Sequence, residues 1–201
     1  MKILNIISGI KGEDSVSTKL ANAITQKLQA AHNGSTVKVY DLAKNPLPHL
    51  EADNFVAFHT PAEERTAEQQ GAVHYSDTAI SDLMEADAIV IAVPLYNFSI
   101  PSTLKSWVDH VARAGVTFSY DENGPKGLVT GKKVYLAFAS GAVYSEGPMS
   151  SFDSAEPYLR NVLGFMGMTD ITTFRAEGIK VPGMGEHSLP KALDTVNEFA
   201  F

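Results

Sequence analysis

DAIVIAVPLYNFSIPSTLKSWVD, residues 87–109, decides how the rest of the chain is read. From Ala88 to Val93 nearly every residue is apolar, several are β-branched, and there is no alternation. A strand of that composition is buried on both faces, as a central parallel strand under helices is. Pro94 has no N–H to give, so the ladder is expected to stop there or to reach an edge. Leu95–Ser99 then presents Tyr96, Asn97 and Phe98 at the carboxyl end of the strand, where open α/β sheets bind ligands. That composition suits a flat heterocycle needing face contact and hydrogen bonds. Pro101, followed by Ser102 and Thr103, restarts a helix expected over Pro101–Ala114.

Working outward, Lys2–Ser8 (KILNIIS) is a first strand, Gly9–Ser17 (GIKGEDSVS) a polar loop, and Leu20, Ala21, Ile24 and Leu28 mark a helix beginning near Ser17 or Thr18. Val37–Tyr40 is a second strand. Asp41–Gly71 carries Pro46, Pro48 and Pro61, shows few periodic runs, and reads as an irregular excursion over the sheet edge or towards a partner subunit. A helix follows from Thr66 to Glu85. Beyond the central stretch come Gly115–Tyr120, a turn-rich Asp121–Gly131, a buried strand at Lys132–Phe138, and a helix ending near Gly164–Gly167. A fifth strand at Ile171–Phe174 and a helix over Leu189–Phe201 close the chain. Five strands alternating with helices predict an α/β, doubly wound, five-stranded parallel sheet with helices on both faces, as a single domain over residues 1–201.

The totals narrow the function. In 201 residues with 44% hydrophobic content there is enough for one well-buried core. A net charge of −7 argues against a nucleic-acid partner. The absence of cysteine removes disulfides, thiolate nucleophiles and cysteine metal sites together. No apolar run reaches membrane-spanning length and the amino terminus has no cleavage signature, so a soluble cytoplasmic protein is expected. The six histidines show no metal-binding spacing. Asp109-His110 lies on one helix, where adjacent residues do not face each other, and reads as surface or supporting.

Ligand-facing loops should follow the first, third and fourth strands. Ser15 and Ser17 stand before a helix, where unpaired amides and the dipole favour an anion; simple N-capping by either serine is the alternative. The loop is neither a Walker loop nor G-x-G-x-x-G. Ala139, Ser140, Gly141 and Ala142 are small enough to let backbone N–H groups approach a ligand. Each loop is a weak signal; their co-location has force.

LYNFSIPSTLKSWVDHVARAGVTFSY (95–120), NGPKGLVTGKKV (123–134), EGP (146–148), the PYL and LGFMGMTD segments within 157–170, and AEGI (176–179) closely resemble the FMN-dependent NADH-azoreductases, which are also NADH:quinone oxidoreductases. With the amino-terminal strand, loop and helix, the resemblance covers nearly the whole chain. It implies a flavodoxin-like fold, a homodimer and non-covalent FMN, with NADH as co-substrate and NADPH as the alternative donor. It implies ping-pong, two-electron hydride transfer to small aromatic quinones, giving hydroquinones, or to azo compounds, giving amines. Carried over by position, Ser8, Gly9, Ser15, Val16 and Ser17 would meet the phosphate and ribityl chain. Leu95, Tyr96, Asn97 and Phe98 would line the isoalloxazine ring, with the Asn97 N–H near N5. Ala139, Ser140, Gly141 and Ala142 would approach the pyrimidine end. Tyr120 and Phe118 would stack over the ring and Phe165 would approach from the other subunit, with a place in the core as the alternative, stronger for Phe118 than for Tyr120. Apart from the resemblance, Lys11 and Arg65 are the cations expected to meet the dinucleotide phosphates. No side chain is expected to act as nucleophile or general acid, because the cofactor carries the chemistry. Two positions depart from the family pattern. Members commonly have serine or proline at Gly9, and many have paired glycines, sometimes after an arginine, where this chain reads Ser140-Gly141-Ala142. A flavodoxin-like one-electron carrier and an acyl-carrier-protein phosphodiesterase are the competing readings. The first usually has a threonine-rich phosphate loop that GIKGEDSVS lacks; the second needs an activated water or metal that no histidine–carboxylate cluster supports.

Overall fold

The computed structural model describes all residues, 1–201. Its strands are β1 (Lys2–Ile7), β2 (Thr36–Asp41), β3 (Ala88–Pro94), β4 (Phe118–Asp121), β5 (Gly124–Gly127), β6 (Lys133–Ala139) and β7 (Asp170–Ala176). Five of them form one parallel sheet in the order β2-β1-β3-β6-β7, and β4 pairs with β5 apart from it. The six helices are α1 (Val16–Ala31), α2 (Ala52–His59), α3 (Ala67–Glu85), α4 (Ser102–Val111), α5 (Ala155–Phe165) and α6 (Gly185–Glu198). The predicted doubly wound α/β sheet is what the chain forms.

β3 is buried along its whole length, and its alternate residues serve two cores. Ile89, Ile91 and Val93 point to the face covered by α3, α4 and α5, with Leu83, Leu104, Trp107 and Leu159. Ala88, Val90 and Ala92 face α1 and α6, with Leu20, Ile24 and Val196. The smaller side chains on the second face let α1 lie close over the middle of the sheet. The chain winds from β1 outward to β2, then returns through β3 to β6 and β7. The loops after β1 and β3 therefore part company at the carboxyl edge and leave a crevice.

One expectation holds and three need correction. The ladder stops at Pro94, the last residue of β3, which pairs in register with Ala139, and the Leu95 N–H donates to the Ala139 carbonyl at 2.8 Å. Leu95 bonds towards β6, so the N–H that Pro94 lacks would point the other way, past the end of β1, whose last partner is Ala92. Nothing is lost from the ladder. Asp41–Gly71 is not wholly irregular, because α2 forms within it, closed by a box in which Glu51 and Asn54 satisfy each other's orphan amides. Leu42 and Leu47 join the core, and Ser106 and His110 donate to the Pro48 carbonyl at 2.6 and 2.9 Å. The segment is thereby tied down on α4. The turn-rich region holds the antiparallel hairpin of β4 and β5. Last, His110 is fully buried rather than on the surface, and burial holds its pKa below the usual histidine value.

Candidate functional site

A cleft of about 600 Å³ opens at the carboxyl edge of the sheet. Lys11, Asp14, Ser15 and Val16 line one wall, Pro94, Leu95 and Tyr96 the floor, and Ala139–Ala142, Tyr144 and Ile179–Val181 the other wall. The three loops expected to meet do meet here.

The first loop makes a tight turn at Gly12–Asp14 and enters α1 through Ser15 in extended conformation. Ser15 does not cap the helix; its hydroxyl pairs with that of Ser17 at 3.0 Å. The first amides of α1 thus have neither a helical acceptor nor a side-chain cap, which is the arrangement that receives a phosphate. The Thr18 hydroxyl, fully buried near Gly9, also lacks a partner. Ser8 is turned away, its hydroxyl donating to the Ala92 carbonyl at 2.7 Å inside the sheet.

In the second loop Tyr96 and Ser99 exchange both backbone hydrogen bonds at 3.0 Å, a two-residue turn with Asn97 and Phe98 at its tip. Both tip residues are left-handed, with φ of +49° and +68°. This is the conformation that a tight primed turn demands, and asparagine tolerates it better than phenylalanine does. The Ile10 N–H approaches the Tyr96 hydroxyl oxygen at 3.4 Å, tying the first two loops together.

In the third loop the Ser140 hydroxyl donates to the Ala142 carbonyl at 2.8 Å. The carbonyls of Ser140, Gly141 and Ala142 accept from the N–H groups of Ile179, Lys180 and Gly178 at 2.9–3.1 Å. With their carbonyls engaged on that side, the N–H groups of Gly141 and Ala142 have no partner in the chain, and neither has that of Asn97. The aliphatic stem of Lys180 lies against Gly141, 3.3 Å from where a Cβ would stand.

Other expected residues fall elsewhere. Phe118, Tyr120 and Phe165 form one aromatic group outside the cleft lining, Phe118 and Phe165 with centroids 4.6 Å apart, and Tyr120 68% exposed. Arg65 is not at the cleft: its guanidinium donates to the carbonyls of Ala57 and Thr60 and lies 4.0 Å from Asp77, bracing α2. Phe98 stands at the rim, edge-on to Tyr144 at 6.3 Å and against Phe152 at 5.3 Å. Tyr144, Lys180 and Thr18 were not foreseen. Tyr144 follows the third loop by only two residues, whereas Lys180 comes from beyond the fifth strand of the sheet and enters through the pairing of 140–142 with 178–180.

An anion cradle at a helix head, a flat floor and free amides on the opposite wall define an α/β protein built to hold a phosphorylated planar cofactor. The flavodoxin-like fold family matches residues 1–200. The FMN-dependent NADH:quinone oxidoreductase of Mesorhizobium japonicum is 51% identical over 96% of this chain and 90% of its own length. That of Herminiimonas arsenicoxydans is 50% identical over 98% and 97%. Among solved structures, the azoreductase of Bacillus anthracis strain Sterne superposes with a TM-score of 0.88 at 34% identity, covering 99% of this chain and all of that one. An FMN-dependent NADH-azoreductase of B. anthracis Ames Ancestor, in complex with FMN, gives 0.85 at 25% over 98% and 99%. The chain belongs to the flavodoxin-like family of FMN-dependent NADH:quinone oxidoreductases.

Proposed function

We propose that this chain, as one domain, binds FMN non-covalently in the cleft and uses NADH to reduce quinones and aromatic azo compounds in the cytoplasm. The observation that carries the reading is that unpaired amides at the head of α1 and at Gly141–Ala142 face one cleft from opposite walls, with the unpaired Asn97 amide one residue beyond the floor residue Tyr96, in the adjoining pocket. Bound FMN supplies the hydride-accepting and hydride-donating chemistry. The head of α1 with Ser15 and Ser17 holds the phosphate. Leu95 and Tyr96 support one face of the ring, and the Asn97 N–H is presented towards N5. The amides of Gly141 and Ala142 face the pyrimidine end, where fixed donors stabilise growing negative charge without reorganising. Lys11 and Lys180 flank the cleft and offer cations to the dinucleotide phosphates, the role that Arg65 is not placed to fill.

The functional unit is a homodimer. Ile10, Phe98 and Phe152, exposed around the cleft, together with Phe55 and Tyr120, are large apolar side chains that their own chain leaves largely exposed. Phe118, Tyr120 and Phe165 pack as one group, so the split assignment of Tyr120 and Phe118 to the chain's own ring and Phe165 to the partner's does not suit the geometry. All three are offered to the partner's cleft.

The test is the absorption spectrum of the purified protein loaded with FMN, followed under anaerobic NADH. Rapid bleaching, and recovery on adding a quinone, is the expected result. A protein that takes up no FMN, or an FMN complex that NADH does not reduce, overturns the reading; the latter result points to an electron carrier. Sedimentation of fully active protein as a monomer removes the dimer.

A further inference from the structure

We propose that Arg175 is a positioning residue that sets one wall and the rim of the ring site at once, holding the third loop through Glu177 and the Asn97–Phe98 turn through Asp153. The inference rests on the FMN reading of the cleft. Arg175 sits on the edge strand β7, in register with Phe138, and its guanidinium lies over the Phe138 ring, 4.9 Å from the centroid. One guanidinium nitrogen donates to Glu177 at 3.1 Å; the other donates to Asp153 at 2.7 Å and to Glu156.

The first arm ends in the cleft wall and the second at its rim. The Glu177 carboxylate accepts the N–H groups of Tyr144 and Ser145 at 2.8 and 3.0 Å and the Ser145 hydroxyl at 2.5 Å. It thereby fixes the chain just after Gly141–Ala142 and stands Tyr144 in the cleft wall. Asp153 accepts the first amides of α5 at 2.9 and 3.1 Å, and the neighbouring Ser154 N–H donates to the Phe98 carbonyl at 3.0 Å. That bond grips the tip of a turn whose two left-handed residues are otherwise disfavoured. The guanidinium has the donors and the planar fork to serve several acceptors together. A buried ion network adds little stability over apolar packing of the same volume, which leaves geometry as what this one supplies. Neither Arg175 nor Asp153 lines the cleft, so both act through the loops and not on bound molecules.

The experiment measures FMN dissociation constants, flavin reduction potentials and melting temperatures of the holoprotein and its variants. Arg175→Gln is expected to raise the FMN dissociation constant roughly tenfold. Reduced FMN should lose about tenfold more affinity than oxidised FMN, which lowers the midpoint by about 30 mV for a two-electron couple. Glu177→Gln keeps an acceptor for the loop amides, and Asp153→Asn keeps the helix cap, while each removes one ion pair; each should reproduce roughly a threefold part of the loss. Arg160→Gln, which cuts the Glu156 pair on the outer side of the network, should leave affinity and potential unchanged. If Arg175→Gln does not fold, the two amide variants decide the matter. Lowered melting temperatures with affinity and potential within twofold of wild type overturn the proposal and make the network a brace only. Wild-type protein that binds no FMN instead overturns the reading of the cleft.

Discussion

Gly9 lies so close to Ser15 that a Cβ at position 9 would stand 2.4 Å from the Ser15 hydroxyl oxygen and 2.7 Å from its Cβ. The first loop is therefore folded around the missing side chain. With no side chain at position 9, Ser15 closes over it and meets Ser17. Gly9→Ser is expected to push Ser15 outward and break the Ser15–Ser17 pair. FMN affinity should fall roughly three- to tenfold, with about 1–3 kcal/mol of stability lost to overpacking. Fluorescence titration of the apoprotein with FMN, alongside urea unfolding, measures both; unchanged affinity would remove the first loop from the phosphate site.

The turn at Asn97–Phe98 makes a separate test, because its conformation fixes which substitutions are informative. Asn97 has φ +49°, which proline cannot adopt, so removing the N–H by Asn97→Pro would dismantle the turn as well. Asn97→Gly keeps both the conformation and the N–H and should be nearly neutral in urea midpoint and in the rate of flavin reduction by NADH. Asn97→Ala places a Cβ in the left-handed region and should cost about 1–2 kcal/mol. Equal stability of the two variants would show that the turn relaxes out of this geometry.

Much of the architecture was open to reading because the apolar runs Ile89–Val93 and Val134–Phe138 can be buried on both faces only as neighbours inside a parallel sheet. The same logic located the three loops. It failed where tertiary contact replaced local signal. In α2 the cap is made by Glu51 and Asn54 rather than a serine or threonine, so no familiar start marks the helix. β5 reads GPKG, a sequence with almost no strand propensity, and only its packing makes it one. Lys180 reached the cleft through pairing of two loops far apart in the chain, for which no pattern in the sequence provides a register.

That packing of β5 is backbone on backbone. A Cβ at Gly127 would stand 2.2 Å from the amide nitrogen of Gly167, just beyond α5, and the Val129 N–H donates to the Met166 carbonyl at 2.8 Å. Gly127→Ala should lever the hairpin off the end of α5 and separate Phe118 from Phe165, at a cost of about 1–3 kcal/mol or more. Because these aromatics are offered to the partner's cleft, the dimer and the FMN affinity of the folded variant should weaken together. Sedimentation and FMN titration of one sample decide it; a weakened dimer with unchanged FMN affinity would remove the hairpin from the partner's flavin site.

His110 gives the fold a dependence on acid. Its ring is fully buried on α4, Nε2–H donates to the Pro48 carbonyl at 2.9 Å, and Nδ1 has no partner. Burial lowers its pKa, outweighing the opposing pulls of the Pro48 carbonyl and of Asp109. The unfolded chain therefore takes up the proton first as pH falls. The stability that the neutral ring contributes is complete above about pH 6.5 and is lost progressively below it, with a slope of at most about 1.4 kcal/mol per pH unit. Tyr75 and Asp109 are the groups beside it, and Asp109 is itself paired with Lys105 at 2.5 Å. In His110→Gln the amide can still donate to Pro48 without titrating. Urea midpoints measured from pH 7.5 to 5 should fall in the wild type and fall less in the variant. Parallel curves would show that the acid sensitivity of the 41–71 segment lies in other groups.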